Sequence, residues 1–534
     1  MNSINNKCCN YNVNNKNNIN INDINNNVNI VGLDNIDNIN NIDNYVNKIN
    51  NISNTIGSKN KNKNKNIIEI IKKSIENSIE NIKKLFLYRL IYTLVRQSDK
   101  TINNFLGIVE FFIAKKHKDV VRNLREKLSI EDLQKRLYKN IIVNSSPNFS
   151  KKFIKNFLVQ GIILNHKKRQ KLLDRGYNVP TTILISPSMR CNLKCLGCYA
   201  DSYSKKDDMD ISLFERIIKE GKDIGVVFYT ILGGEPFIRD DVFEVYKKND
   251  DAFFQIFTNG TLIDDKKAEE IVKMGNLLIM FSIEGGNAET DFRRGQGVYQ
   301  KVQNAMSIFK NNKLPFGFSV TVTRNNFDYI TSEDFIDFMI EKGAFLGWYF
   351  LYMPVGQNSD ISLMPTAQQR LKLKEVVHKS RAQKPIFLVD FWGDAPLVGG
   401  CIAGSQYAHI NNKGDVEPCI FTHFAEVNIK DMPLIEALNC SYFRKIRAKQ
   451  PYCDNLYRPC MLIDETNISR ELYKTCKIYP THQGAENILF KINEELDRYS
   501  KSVKEVFDPV WQKEKDNYSY KRMVIQKDLI ESQT

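Results

Sequence analysis

The stretch "TTILISPSMRCNLKCLGCYAD", residues 181–201, decides the reading of this chain. A short β-branched run, 181–186, passes directly into a loop carrying Cys191, Cys195 and Cys198. Thiolates this close in sequence can converge on one centre. Three of them leave a structural zinc site incomplete, since such sites take four ligands. A [4Fe–4S] cube held at three corners keeps one iron open to an exogenous ligand. A zinc ion with a distant fourth ligand is the alternative that the spacing alone permits.

Outward from this loop, strand-like runs at 181–186, 226–232, 253–259, 277–283, 316–323 and 345–353 alternate with helical runs at 212–224, 240–249, 264–275, 297–312 and 332–343. Alternation of this kind implies βαβ crossovers and a parallel sheet. The strands are too few for a closed eight-stranded barrel, which leaves an open partial barrel or a doubly wound sheet. In both, chemistry belongs where strands end and helices begin. The second strand ends in "ILGGEPFIRDD", with Gly233, Gly234, Glu235 and Pro236. Paired glycines allow a close approach to a ligand, and a carboxylate accepts hydrogen bonds from an ammonium group.

The three-cysteine loop after one strand and "GGEP" after the next resemble the radical S-adenosylmethionine (SAM) superfamily over about residues 180–355. The resemblance implies a (β/α)6 partial TIM barrel, with a SAM-binding [4Fe–4S] cluster on Cys191, Cys195 and Cys198 as the catalytic centre. It further implies that Glu235 and the adjacent glycine backbone hold the SAM ammonium. Thr258, Asn259 and Gly260 of "FTNGTL" would lie near SAM, Ser282 and Glu284 at its ribose, and Arg293 at its carboxylate. Many family members carry an aromatic residue immediately before the third cysteine. Here that position is Gly197, and the aromatic residue is Tyr199, after the cysteine.

Downstream, "CIAGSQYAHINNKGDVEPC" holds Cys401 and Cys419 at the two ends of an expected hairpin that turns at Gly414, and "YCDNLYRPC" supplies Cys453 and Cys460. This region resembles the SPASM and shortened "twitch" extensions of some radical SAM enzymes. That implies an auxiliary [4Fe–4S] cluster on Cys401, Cys419 and Cys460, with Cys453 as the fourth ligand or else an iron left open or held by another side chain. A zinc site is the rival. His409 and His423 are further ligand candidates, although hairpin histidines are usually structural; Cys440 is expected at a helix start and Cys476 in ordinary packing.

The chain has 534 residues and a formal charge of +14. Residues 1–66 include 28 asparagines, a composition that cannot bury enough apolar surface to offset ordering entropy, so a disordered tail is expected. Residues 67–177 read as helical and hold 24 Lys and Arg against 10 Asp and Glu. Such a segment attracts an anionic membrane surface, or simply presents solvated helix faces. No nucleic-acid-binding motif accompanies it, and no nucleic-acid partner is expected. The expected organisation continues with the barrel at 178–356, a connector at 357–400, the auxiliary-cluster region at 401–465 and a helical C-terminal tail at 466–534. No apolar run long enough to span a bilayer and no hydrophobic N-terminal signal is present. Sparse, clustered cysteines point to a reducing, cytoplasmic setting.

The expected function is reductive cleavage of SAM to a 5′-deoxyadenosyl radical that abstracts hydrogen from a substrate, a peptide or protein, a small molecule or a lipid. A reduced flavodoxin- or ferredoxin-type protein would supply the electron. The rival from another class is a non-catalytic iron–sulfur or zinc protein acting in redox sensing or as a scaffold. "GWYFLYMPVG" suggests either an apolar pocket wall or core packing. Asp390 and Asp394 of "VDFWGD" are candidate acid–base groups or exposed turn carboxylates.

Overall fold

The computed structural model describes Tyr88, Arg89 and residues 139–204, 206–356 and 359–518. The expectations for the Asn-rich segment and for most of the basic segment lie outside the described residues. Strands β1 (Thr182–Ile185), β2 (Phe228–Ile231), β3 (Phe253–Thr258), β4 (Leu277–Ser282), β5 (Phe316–Val322) and β6 (Ala344–Leu351) fall on the six expected runs. Between them lie α1 (Ile211–Ile224), α2 (Asp241–Lys248), α3 (Asp265–Met274), α4 (Asn287–Arg294), α5 (Val298–Asn311) and α6 (Glu333–Lys342).

Local chemistry fixes the helix ends. Asp210, Asp264 and Ser332 accept hydrogen bonds from the first-turn amides of α1, α3 and α6, and glycines at 225, 275 and 343 end the same helices in the left-handed region. On α1 the buried residues Leu213, Phe214, Ile217 and Ile218 recur at helical spacing and face the sheet.

Three further strands extend the sheet, one at one edge and two at the other. Residues expected to be a connector form α7 (Ala367–Gln383) and β7 (Phe387–Asp390), and β7 pairs in parallel with β6. Beyond them, β8 (Tyr407–Ile410) pairs in parallel with β1 and turns back antiparallel into β9 (Val416–Glu417), the expected hairpin. The order is β7-β6-β5-β4-β3-β2-β1-β8-β9. From β1 to β7 every strand is added on the same side, so no switch point exists. The sheet is singly wound and open, as in a partial barrel, and not doubly wound. β10 (Phe424–Ala425) and β11 (Tyr479–Pro480) form a separate antiparallel pair.

Period-two alternation divides the strands. Ile183, Tyr229, Ile256, Phe281 and Phe318 pack under the helices, while Leu184, Thr230, Gln255, Phe257, Ser319, Trp348 and Phe350 point to the inner cavity. Each fully buried phenylalanine of the outer layer contributes about 1.5–3 kcal/mol. Consecutive helical segments, Pro147–Lys152, Phe153–Leu164 and Asn165–Leu173, bring Phe149, Ile154 and Val159 against Phe253, Leu278 and Phe345 near the starts of β3, β4 and β6. The described part of the basic segment therefore covers the strand ends opposite those where chemistry is expected.

On the other flank, α8 (Asn493–Glu514) packs along α7. Lys374 meets Glu514 at 2.6 Å, and the buried Arg370 meets Asp464 at 2.6 Å.

Candidate active site

The loop after β1 is clamped to the end of β2 by its backbone. Gly234 N donates to Ser188 O at 3.0 Å and Glu235 N to Arg190 O at 2.8 Å. A Cβ on Gly234 would stand 2.0 Å from Arg190 O, and one on Gly233 (φ +108°) 2.5 Å from Ser188 O. The paired glycines therefore admit the cysteine loop itself, where the sequence had suggested that they admit a ligand. The Tyr199 hydroxyl accepts from Gly233 N at 3.1 Å, and Asn259 Nδ2 donates to Asn192 Oδ1 at 2.9 Å. Both contacts pin the loop, and spacing alone did not reveal them.

Glu235 is buried. Its Oε1 accepts from Phe237 N at 3.0 Å and Thr258 Oγ1 at 2.7 Å, and its Oε2 accepts from Asn259 N at 2.7 Å. Burial pushes this carboxyl up, against the pull of the same donors. Three of about four acceptor positions are thus occupied by the protein. Glu235 joins the ends of β2 and β3 from behind the cavity wall, and Pro236 opens a short 3-10 turn there. Neither lines the cavity into which the cysteines open, so the expected contact of Glu235 with the SAM ammonium rests on its one remaining acceptor position.

That cavity measures about 880 Å³. Cys191, Cys195 and Cys198 line it together with Gly233, Gly234, Thr258, Asn259, Ser282 and Arg293. Glu284 stands outside this wall, fully buried. Its Oε1 accepts from Arg293 Nη1 at 2.7 Å and from Arg294 Nε at 2.8 Å, and its Oε2 accepts from Thr321 N at 3.1 Å. It holds two guanidinium groups and, with Arg293, lines a neighbouring cavity. Arg293 is salt-bridged but not on a surface loop, its side chain being 11% exposed. Arg294, overlooked in the sequence beside Arg293, also lines the cavity. Burial pushes the Cys195 thiol up, and Arg294 and Arg293 pull it back. Apart from the cysteines, Asp201 is the one acidic or imidazole side chain among the described lining residues.

The deeper walls are aromatic: Phe257, Trp348, Phe350, Phe391, Tyr407 and Phe421. In the sixth strand the two readings divide by parity. Trp348 and Phe350 face the cavity and Tyr349 packs in the helix-covered core, while Leu351, at the strand's end, belongs to both. Trp348 Nε1 is a buried donor without a partner. Asp390 is buried rather than an exposed turn carboxylate, and burial pushes its carboxyl up to about 6. Asp394 accepts from Arg381, with Oδ1 2.6 Å from Nη2.

Trp348, Phe391, Tyr407, Phe421 and Ile402 also line a second cavity of about 250 Å³, into which Cys401, Cys419 and Cys460 open. Cys453 does not line it. Its sulfur lies 3.3 Å from Asn455 O, and burial pushes its thiol up to about 12. The structure thus gathers three of the four expected auxiliary cysteines. His409 uses both ring nitrogens, on Ser186 Oγ at 2.7 Å and Glu417 Oε2 at 2.5 Å, and His423 uses its own on Ile420 O and His482. Cys440 caps a helix start and Cys476 is half-buried in packing. Among the described residues, no three His, Cys, Asp or Glu side chains converge on a single-ion point. Thiolates on one zinc would stand about 3.8 Å apart by Zn–S geometry, whereas ligands of a cube each reach a different iron.

Residues 185–339 match the model of the radical SAM superfamily, and residues 401–461 match that of the SPASM iron–sulfur cluster-binding domain. The chain thus carries a radical SAM domain and, C-terminal to it, a SPASM domain. This radical SAM chain is 26% identical over 300 residues to an AdoMet-dependent heme synthase of Methanosarcina barkeri, covering 51% of this chain and 85% of that one. It is 28% identical over 302 residues to the mycofactocin maturase MftC of Mycobacterium tuberculosis, covering 52% and 75%. Among solved structures it is similar to Streptococcus suis SuiB bound to S-adenosylmethionine, with 19% identity, a TM-score of 0.45, and 61% of this chain and 83% of that one covered. The protein is a radical SAM enzyme whose cofactors are SAM, a SAM-binding [4Fe–4S] cluster and an auxiliary iron–sulfur centre. The donor set fits these groups: soft thiols in threes, opening into a cavity each, with guanidinium charge beside the first. No described helix is long and apolar enough to cross a membrane.

Proposed function

We propose that Cys191, Cys195 and Cys198 hold the SAM-binding cluster, that Cys401, Cys419 and Cys460 hold a single auxiliary cluster, and that the substrate presents an apolar, ring-bearing group to the wall between them. When bound and reduced, the first cluster and SAM supply methionine and a 5′-deoxyadenosyl radical that takes a hydrogen atom from a substrate carbon. The residues of this chain position and shield. The Asn192–Asn259 and Tyr199–Gly233 contacts fix the cysteine loop against the ends of β2 and β3. Arg293 and Arg294, oriented by Glu284, offer fixed positive charge to a carboxylate at the cavity rim. The aromatic walls exclude water, which protects a radical from side reactions.

The observation that carries this reading is one cavity lined both by three thiols and by a set of aromatic rings. Trp348 Nε1 favours a substrate ring system bearing a hydrogen-bond acceptor, because its buried N–H otherwise forfeits a bond. Relatives at similar identity are named for a heme synthase and for a mycofactocin maturase, and the first of these names carries a ring-bearing product. A peptide with an aromatic side chain and a conjugated macrocycle share the ring that the cavity asks for. A flavodoxin- or ferredoxin-type donor remains the expected electron source.

The test is anaerobic reconstitution, counting of iron and sulfide, and addition of dithionite and SAM. The wild type is expected to release 5′-deoxyadenosine, and Cys195→Ala to release none. A protein that holds zinc and leaves SAM intact would instead be the non-catalytic scaffold.

A further inference from the structure

Tyr407 is the first residue of β8, paired opposite Thr182 of β1. Its ring lies in the wall common to both cavities and is 5% exposed. Its hydroxyl donates to Cys419 Sγ at 2.9 Å. The same sulfur receives Phe421 N at 3.4 Å, and the Phe391 ring stands against the phenol ring at 6.2 Å between centroids. One face of the phenol therefore meets substrate space, while its proton points at a thiolate ligand of the auxiliary centre.

A hydrogen bond to a ligand sulfur stabilises the more negative, reduced state of a cluster more than the oxidised state, and so raises its reduction potential. Here the backbone donor from Phe421 survives any side-chain change, whereas the phenol donor does not. In a site walled by aromatic rings, screening is weak and a single donor counts for more than it would in water.

We propose that Tyr407 is a positioning residue that sets the reduction potential of the auxiliary iron–sulfur centre from the wall of the substrate cavity. The proposal rests on Cys419 being a ligand of that centre. A hydroxyl at position 407 holds the centre at a higher potential than the fold alone would give. A change at this one phenol alters the auxiliary centre without touching the cluster on Cys191, Cys195 and Cys198.

The test is a potentiometric titration of the reconstituted full-length protein, followed by electron paramagnetic resonance, with iron and sulfide counted in each sample. Tyr407→Phe is expected to keep its iron and to move only the auxiliary signal, to lower potential. Replacement of Tyr407 by 3-fluorotyrosine, a more acidic phenol and stronger donor, is expected to move it the other way. Unchanged potentials in both variants overturn the proposal. If Tyr407→Phe loses iron, the fluorotyrosine protein decides, since its ring is retained and only its donor strength differs. A wild type with a single cluster signal overturns the proposal together with the assignment of Cys401, Cys419 and Cys460, whereas two signals insensitive to position 407 overturn the proposal alone.

Discussion

The ring of Tyr352, at the end of β6, fills the space that a side chain at position 197 would need: a Cβ on Gly197 would stand 2.4 Å from Tyr352 Cε2. Where many relatives carry an aromatic residue before the third cysteine, this chain supplies a ring from across the barrel. Tyr352 lines the cavity beside Cys198 and is thereby the candidate platform for the adenine of SAM.

Gly197→Phe is accordingly expected to weaken SAM binding at least about tenfold, because the added ring meets Tyr352 and the residue sits at φ +64°. Adding Tyr352→Ala removes the clash but not the backbone strain of about 1–2 kcal/mol, so recovery is partial. Equilibrium dialysis with labelled SAM measures both steps. Full affinity in Gly197→Phe alone would show that the two rings are not rivals for one place.

Cys460→Ser is expected to remove about four irons per chain, one cube's worth, while Cys453→Ser keeps them, since Cys453 does not open into the second cavity. Iron and sulfide assays on the two proteins side by side check this. Equal losses would place Cys453 in the ligand set after all.

Glu284→Gln leaves Arg293 and Arg294 facing each other without the carboxylate that both contact. Removing one partner from a buried charge cluster costs about 3–5 kcal/mol. Urea unfolding should show that loss, with SAM binding weakened at the same time. A stability within about 0.5 kcal/mol of wild type would mean that the arginines find water instead.

The Asp390 carboxyl, raised from 3.8 to about 6 by burial, makes a signed prediction for pH. Between these values the folded state holds a proton that the unfolded state has lost. Stability therefore falls as pH rises through that window, by about 3 kcal/mol for a shift of two units. In Asp390→Asn, which stays neutral throughout, that part of the pH dependence should vanish. Parallel slopes for the two proteins between pH 4 and 6 would assign the effect elsewhere.

The alternation of β1–β6 with α1–α6 was legible because parity and helical period are local signals, and Asp, Ser and Gly mark the helix ends. The first cysteine triad was legible from its spacing, whereas the second set rested on the resemblance to SPASM extensions and included Cys453. β7 was not legible: "PIFLVDFWGD" follows a charged helix and lies outside the six runs that alternate with helices, so nothing local marked it as a strand of the same sheet. Which edge β8 would join was equally hidden, since the hairpin sequence fixes its own turn but not its partner. The second role of the paired glycines was hidden because a ligand and a neighbouring backbone make the same demand for a missing Cβ, and here Ser188 and Arg190 make it too. Glu235 and Glu284 are acidic residues at strand ends, as expected of ligand contacts. What the sequence cannot display is that both already accept from backbone, hydroxyl or guanidinium donors, with one acceptor position left on Glu235.

The pairing of β8 with β1 bears on how the chain is made. On the ribosome, the strand that launches the first cysteine loop emerges long before its flanking partner, which belongs to the SPASM region. Until that partner arrives, one edge of β1 has no mate, and exposed edges of this kind recruit other chains. Iron inserted into the first loop during translation would enter a half-walled site. A chain ending before the second cysteine group is therefore expected to aggregate through the bare edge of β1 rather than to give a simpler enzyme.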